Sequence, residues 1–389
     1  MNILVLGGAG YMGSEIANQL VKRCDAEITI SDIDSKGLNK VATKLGDRVT
    51  TRVINVNDLN DLVLLMKSSD IVVSAIGPFY KYGVKIVKAC IQAGVNFVDI
   101  NDDYDATQEV LSLDEEAKKA GVTAVIGLGA SPGFTNMLAK YGADKLDKVQ
   151  DIHIFWSESS VDPTGRAAME HWFHIIAGEV PMFKDGKWVN VKGLSDPEVI
   201  EFHSPIGSLE VYYTGHPEPV TLPRYIKGVK NVTIKGGLYP PSIMRVWKVL
   251  TEVGFGSKED FRIKDDLSMP LRELLVRLLR AMPHFAPEFF NELYTQATEK
   301  YQGYAGAIKV EVIGEKQGEK MQYTYDMVSD SVRLGTAIPA ALGTIMILRG
   351  EVKVDGVLAP EGAIDSKMFI SEIKNETKIY EKCVRIKTL

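Results

Sequence analysis

Gly8-Ala9-Gly10-Tyr11-Met12-Gly13 follows directly on the apolar run Asn2–Leu6, and few folds place three glycines at this spacing between a strand and a helix. Each glycine meets a separate steric demand. Gly8 permits a tight turn, Gly10 lets the backbone approach a pyrophosphate, and Gly13 allows close helix–strand packing. The helix expected over Met12–Lys22 would then offer free N–H groups and its positive dipole end to phosphates. Asp32 falls nineteen residues beyond Gly13, at the end of a second strand (Glu27–Ser31), where a carboxylate meets ribose hydroxyls. Together these residues predict a dinucleotide-binding βαβ unit. A carboxylate at this point repels a 2′-phosphate, and no arginine follows in Ile33-Asp34-Ser35-Lys36. NAD is therefore expected, with Lys36 leaving NADP open.

The same rhythm continues to about residue 140. Short apolar runs at Val49–Val56, Ile71–Ala75, Phe97–Ile100 and Thr123–Ile126 alternate with helical stretches at Leu59–Met66, Val84–Ala93 and Thr107–Ala120. That alternation predicts a doubly wound parallel sheet of the Rossmann type, with helices on both faces. The pattern changes near residue 147. Asp151–Ser157 alternates, Ala167–Ala177 is helical, and Asp185-Gly186 marks a hairpin. Leu209–Thr214 and Asn231–Lys235 are extended, and helices are expected near Ile243–Val253, Pro270–Met282 and Pro287–Lys300. Ile308–Ile313 and Met321–Met327 form a further hairpin. This second part is expected to be an α+β domain with a mostly antiparallel sheet.

Composition narrows the function. The 389 residues suffice for two or three domains. A net charge of −6 without basic blocks argues against nucleic acid and anionic membrane as partners. Cys24, Cys90 and Cys383 form no CxxC, which fits a reducing compartment. The N-terminal run lacks a basic leader, and Thr336–Leu348 is interrupted by Pro339 and Gly343, so a cytoplasmic protein is expected.

Dinucleotides lie across the C-terminal ends of such strands. Candidate cofactor contacts are therefore Gly8, Gly10, Tyr11, Met12, Gly13, Asp32, Ile33, Asn57, Asp58, Ala75, Gly77, Pro78, Phe79 and Asn101. Gly77-Pro78 reads as a rigid turn beneath the nicotinamide, or as a plain strand-terminating turn. Ser131-Pro132 reads as an N-cap with proline at the first helical position.

On these motifs the chain resembles the saccharopine dehydrogenase family in its broad sense. The resemblance is carried by Gly8–Gly13, Gly77-Pro78-Phe79, Ala89–Asp99, Ala117–Val122, Gly129–Asn136 and Gly356–Glu361. It implies a Rossmann domain over 1–140, a substrate and dimerisation domain over 141–334, and a C-terminal segment over 351–389. A helix near 335–350 would return the chain to the first domain. It also implies NAD(P)-linked oxidation of a C–N bond, or reduction of the corresponding imine. Asp32 and Ile33 stand where NADP-using members carry arginine, which places the chain nearer lysine dehydrogenases and lysine metabolism.

Oxidising an amine requires a group to take its proton. Asp102, Asp103 and Tyr104, behind the fifth strand, are the candidates; they serve equally well as helix caps or solvated groups. A second cluster holds Arg166, Glu170, His171 and His174, with Arg166 placed to grip a carboxylate. His171, His216, Arg166 and Arg245 are the substrate candidates, the alternative being a helix that packs on the sheet with polar residues outward. No third ligand at recognisable spacing joins the histidines, so no metal is expected. Cys24 and Cys90 fall inside or at the end of helices, which argues against thioester chemistry. An NAD(P)-binding redox sensor without turnover is the competing class. A homodimer is expected through the second sheet, with Val211, Tyr213, Val310 and Tyr323 exposed on its free face.

Overall fold

Seven parallel strands form the first sheet of the computed structural model, in the order Gly356–Leu358, Thr123–Val125, Asn96–Asp99, Ile71–Ser74, Asn2–Leu6, Glu27–Asp32, Val49–Val53. The structure describes residues 1–162, 164–257, 259–264 and 267–386. Ile3 to Leu6 and Ile71 to Val73 are fully buried, as strands covered on both faces must be. The strand order reverses between Asn2–Leu6 and Ile71–Ser74, the switch point where open α/β sheets bind ligands.

The helix expected over Thr107–Ala120 is two helices, Tyr104–Leu111 and Asp114–Ala120. Between them the Ser112 hydroxyl donates back to the Glu109 carbonyl at 2.6 Å, and Leu113 turns into the core. The helix placed at Ser131-Pro132 begins later, at Phe134. Gly133 precedes it with φ +116°, and a β-carbon there would lie 2.3 Å from the Gly129 nitrogen.

A second sheet of nine strands is mixed. Lys148–Ser159 and Asn231–Tyr239 pair in parallel, while the flanking strands, including Gly306–Lys316 and Glu319–Ser329, pair antiparallel. Asp185 and Gly186, both at positive φ, turn the hairpin Glu179–Lys184/Lys187–Lys192.

The chain divides into two units. The first holds Met1–Lys145, Val220–Lys227 and Arg333–Thr377; the second holds Leu146–Pro219, Gly228–Val332 and the chain from Lys378 onward. Val220 is part of the first unit's core. Tyr380–Arg385 pairs with Glu319–Ser329 as an edge strand of the second sheet. Residues 387–389 of the C-terminal segment lie outside the described residues.

The expectation of an exposed apolar sheet face is corrected. Val211 and Val310 are fully buried, and Tyr213 and Tyr323 are 7% exposed. Val211 packs with Phe155 and Phe202, and the amines of Lys184 and Lys235 lie 4.6 and 4.7 Å from the Tyr213 ring. Lysine stems and ammonium groups cover aromatic faces without a second chain.

Candidate active site

In the first unit the glycine-rich turn is built by contact. A β-carbon on Gly13 would sit 2.1 Å from the Gly7 carbonyl oxygen, and one on Gly8 would sit 2.6 Å from the Ile30 β-carbon. Only glycine lets the helix Tyr11–Arg23 start this close to the strand. Gly10 is its N-cap and supplies no side-chain acceptor to the helix start. Asp32 is oriented by two backbone donors, Ala9 N–H at 3.3 Å and Asp34 N–H at 3.1 Å. Ile33 is 70% exposed. An uncapped helix start beside an oriented carboxylate fits a dinucleotide, with phosphates at Gly10–Gly13 and ribose hydroxyls at Asp32.

The other strand ends carry mixed duties. Asp58 caps the helix Leu59–Met66 through the Asp61 N–H, and Asn57 accepts from the Lys85 ammonium at 2.6 Å. Ala75 and Gly77 lie at the switch point, where Ala75 N–H donates to the Leu6 carbonyl. Pro78 stands at the N-cap position of the helix that begins at Phe79, without a side-chain hydrogen bond, and Phe79 is buried.

Behind the fifth strand the groups are chained together. Asn101 is fully buried; its N–H donates to Asp99 Oδ1 at 3.0 Å, and its Oδ1 accepts from the Asp103 N–H at 3.0 Å. Asp103 is also fully buried, and its Oδ2 accepts the Tyr80 N–H at 3.0 Å, tying this loop to the Pro78 turn. Asp102 is the partly exposed carboxylate of the pair. Burial, with the charges of Asp105 and Asp103, pushes the Tyr104 hydroxyl up to about 12.

One carboxyl moved strongly toward neutrality was not among the site candidates. Asp99 is pushed up to about 7 by burial, against two backbone N–H donors that lower it, with Asp102's charge adding a smaller rise. Its place in the apolar run Phe97–Ile100 was the available signal.

In the second unit five rings form a contiguous series. Trp247 lies 6.1 Å from Trp172, Trp172 6.1 Å from Trp156, Trp156 5.3 Å from His216, and His216 5.5 Å from His171. Gly236 makes room for the series, since a β-carbon there would lie 2.0 Å from the Trp156 ring. The indole N–H groups of all three tryptophans, Thr214 Oγ1 and both His216 ring nitrogens are buried without a hydrogen-bond partner among the described residues. Burial, with His171 beside it, holds the His216 pKa well below the usual imidazole value, so the ring is neutral at pH 7. Glu218 Oε2 stands 3.8 Å from His216 Nδ1.

Arg166 is the first residue of the helix Arg166–Ile176. Its guanidinium bonds Glu170 at 2.7 Å and Glu273 at 3.3 Å. Arg245 is exposed on the helix Ser242–Glu252. Sequence reasoning singled out His171 and His216, which the fold brings together, but not the tryptophans around them.

Fold and site together define an NAD(P)-linked oxidoreductase. Residues 3–125 match the saccharopine dehydrogenase NADP binding domain and residues 129–379 the saccharopine dehydrogenase C-terminal domain, so the chain belongs to the saccharopine dehydrogenase family. It is 24% identical over 376 residues to a carboxynorspermidine synthase of Vibrio alginolyticus, covering 89% of this chain and 84% of that one. A carboxyaminopropylagmatine dehydrogenase of Synechocystis is 22% identical over 400 residues, covering 95% and 94%. Saccharopine dehydrogenase (L-Glu forming) from Saccharomyces cerevisiae shares the fold, with a TM-score of 0.68 at 18% identity over 99% of this chain and 100% of the other. Among the described residues no helix is long and apolar enough to cross a membrane.

Proposed function

We propose that the chain interconverts an imine and a secondary amine that carries an amino-acid carboxylate, the chemical class of saccharopine and carboxynorspermidine. One observation carries the reading: both family domains match across nearly the whole chain. The bound nicotinamide supplies or takes the hydride. The chain's residues hold the substrate and handle the proton. Asp102 is the proton-handling candidate, as the partly exposed carboxylate of the pair beside the fully buried Asp103.

The second unit's ring series is proposed as the substrate's seat. An indole N–H only donates, and unmet buried donors are costly, so this cluster favours a ligand rich in acceptors, such as a carboxylate. His171 and His216 are placed there. Arg166 joins only by leaving Glu170 or Glu273, and Arg245 stands as an outer contact. NAD is preferred through Asp32. A homodimer, the cytoplasm and a place in lysine-linked metabolism belong to the same reading and rest on family resemblance.

The test is NADH and NADPH absorbance followed with lysine, saccharopine and carboxyalkyl polyamines, in both directions. Turnover with one of them is expected. Dinucleotide binding without turnover on any would replace this reading with the redox sensor.

A further inference from the structure

Arg333, at the start of the helix Val332–Leu348, reaches back within the first unit to the opening turn of the helix Tyr11–Arg23. Its Nε donates to the Tyr11 carbonyl at 2.7 Å and its Nη2 to Ser14 Oγ at 2.8 Å. The guanidinium carbon lies 4.8 Å from the Tyr11 ring centroid, and Nη2 lies 3.6 Å from Glu15 Oε2. Nη1 has no hydrogen-bond partner among the described residues.

This is an unfavourable place for a cation. A helix start is the positive end of its dipole and favours anions. The first turn contains no acidic residue, and the ion pair with Glu15 comes from the residue after it. Four contacts nevertheless hold the guanidinium there, beside a helix start whose N-cap, Gly10, has no side-chain acceptor. An anion arriving at that turn would meet the dipole and the guanidinium together, and would turn a local cost into attraction.

We propose that Arg333 is a further dinucleotide-binding residue, whose charge engages the cofactor's pyrophosphate at the first turn of the glycine-rich helix. The proposal rests on the cofactor reading above. Arginine suits this position because two of its donors anchor the group while a third edge stays open.

Fluorescence titration of the purified full chain with NADH, without amine substrate, tests it. Arg333→Gln keeps a donor for Tyr11 but loses the charge, and should weaken NADH about tenfold, as a lost charged hydrogen bond does. Arg333→Lys keeps the charge but loses the two-point anchor, and should weaken NADH by about threefold, clearly less than Arg333→Gln. Ser14→Ala removes an anchor but not the charge, and should change the Kd by less than about twofold. At saturating cofactor the KM for the amine should be unchanged in all three variants. Equal weakening by Gln and Lys would assign Arg333 a packing role and overturn the proposal, as would an unchanged Kd in Arg333→Gln. A wild type that binds neither NADH nor NADPH would instead remove the cofactor reading itself.

Discussion

Asp99 Oδ1 accepts the Gly127 N–H at 2.7 Å, which joins the ends of the neighbouring strands Asn96–Asp99 and Thr123–Val125. The same oxygen accepts the Asn101 N–H, whereas Oδ2 is buried without a partner among the described residues. A carboxyl in this setting keeps its proton.

That proton links stability to pH. The folded state holds it up to about pH 7, whereas the unfolded chain releases it near the ordinary aspartate value of 3.8. Stability from this group is therefore greatest below the unfolded value and falls as pH rises toward 7, by about 4 kcal/mol in all. Asp99→Asn mimics the protonated form and should remove this slope. Denaturant unfolding of both proteins between pH 4 and 8 checks it; parallel curves would mean that Asp99 is charged in the fold.

Gly13→Ala should cost both fold and cofactor. The new β-carbon would fall 2.1 Å from the Gly7 carbonyl, so the helix must retreat from the strand. Expected losses are about 1–3 kcal/mol of stability and roughly tenfold or more in NADH affinity. A variant with wild-type affinity would contradict the contact.

Asp32→Ser should narrow the preference for NADH over NADPH. It removes an acceptor for the ribose hydroxyls and a charge facing any 2′-phosphate. A lost charged hydrogen bond is worth about 1.5–3 kcal/mol, roughly ten- to hundredfold in NADH affinity. Parallel NADH and NADPH titrations measure the ratio. Wild-type preference for NADPH would reassign Asp32.

His216→Phe keeps the ring packing against Trp156 and His171 but deletes both nitrogens. The KM for the amine substrate should rise at least about tenfold while the NADH Kd stays constant. Since the folded pKa lies below the unfolded value, wild type should lose stability as pH falls below about 6.5, and the variant should lose less. Steady-state kinetics with an unchanged amine KM would remove His216 from the substrate seat.

Sedimentation at micromolar concentration should report twice the 42.9 kDa chain mass. Val211, Tyr213, Val310 and Tyr323 are covered within one chain, so they no longer argue for a partner. A monomer would leave the ring series and its substrate role untouched.

Local order made much of this protein readable. Gly8 to Gly13 behind an apolar strand, with Asp32 at the next strand end, specifies a βαβ dinucleotide unit because each constraint acts within about thirty residues. Apolar runs and their helical intervals likewise mark the strands Ile71–Ser74 and Asn96–Asp99, since burial on both faces writes itself into composition. The rest depends on which distant segments meet. Arg333 finds Tyr11 from 322 positions away, Val220–Lys227 counts with the first unit, and Tyr380–Arg385 completes the second sheet. Trp156, Trp172 and Trp247 each read as ordinary core residues until three elements bring their rings edge to face in a series that ends at His216 and His171. Periodicity reports how a segment is buried but not against what, and the pKa of a group such as Asp99 is set by those neighbours. Contacts of that kind are properties of packing, which only the folded chain decides.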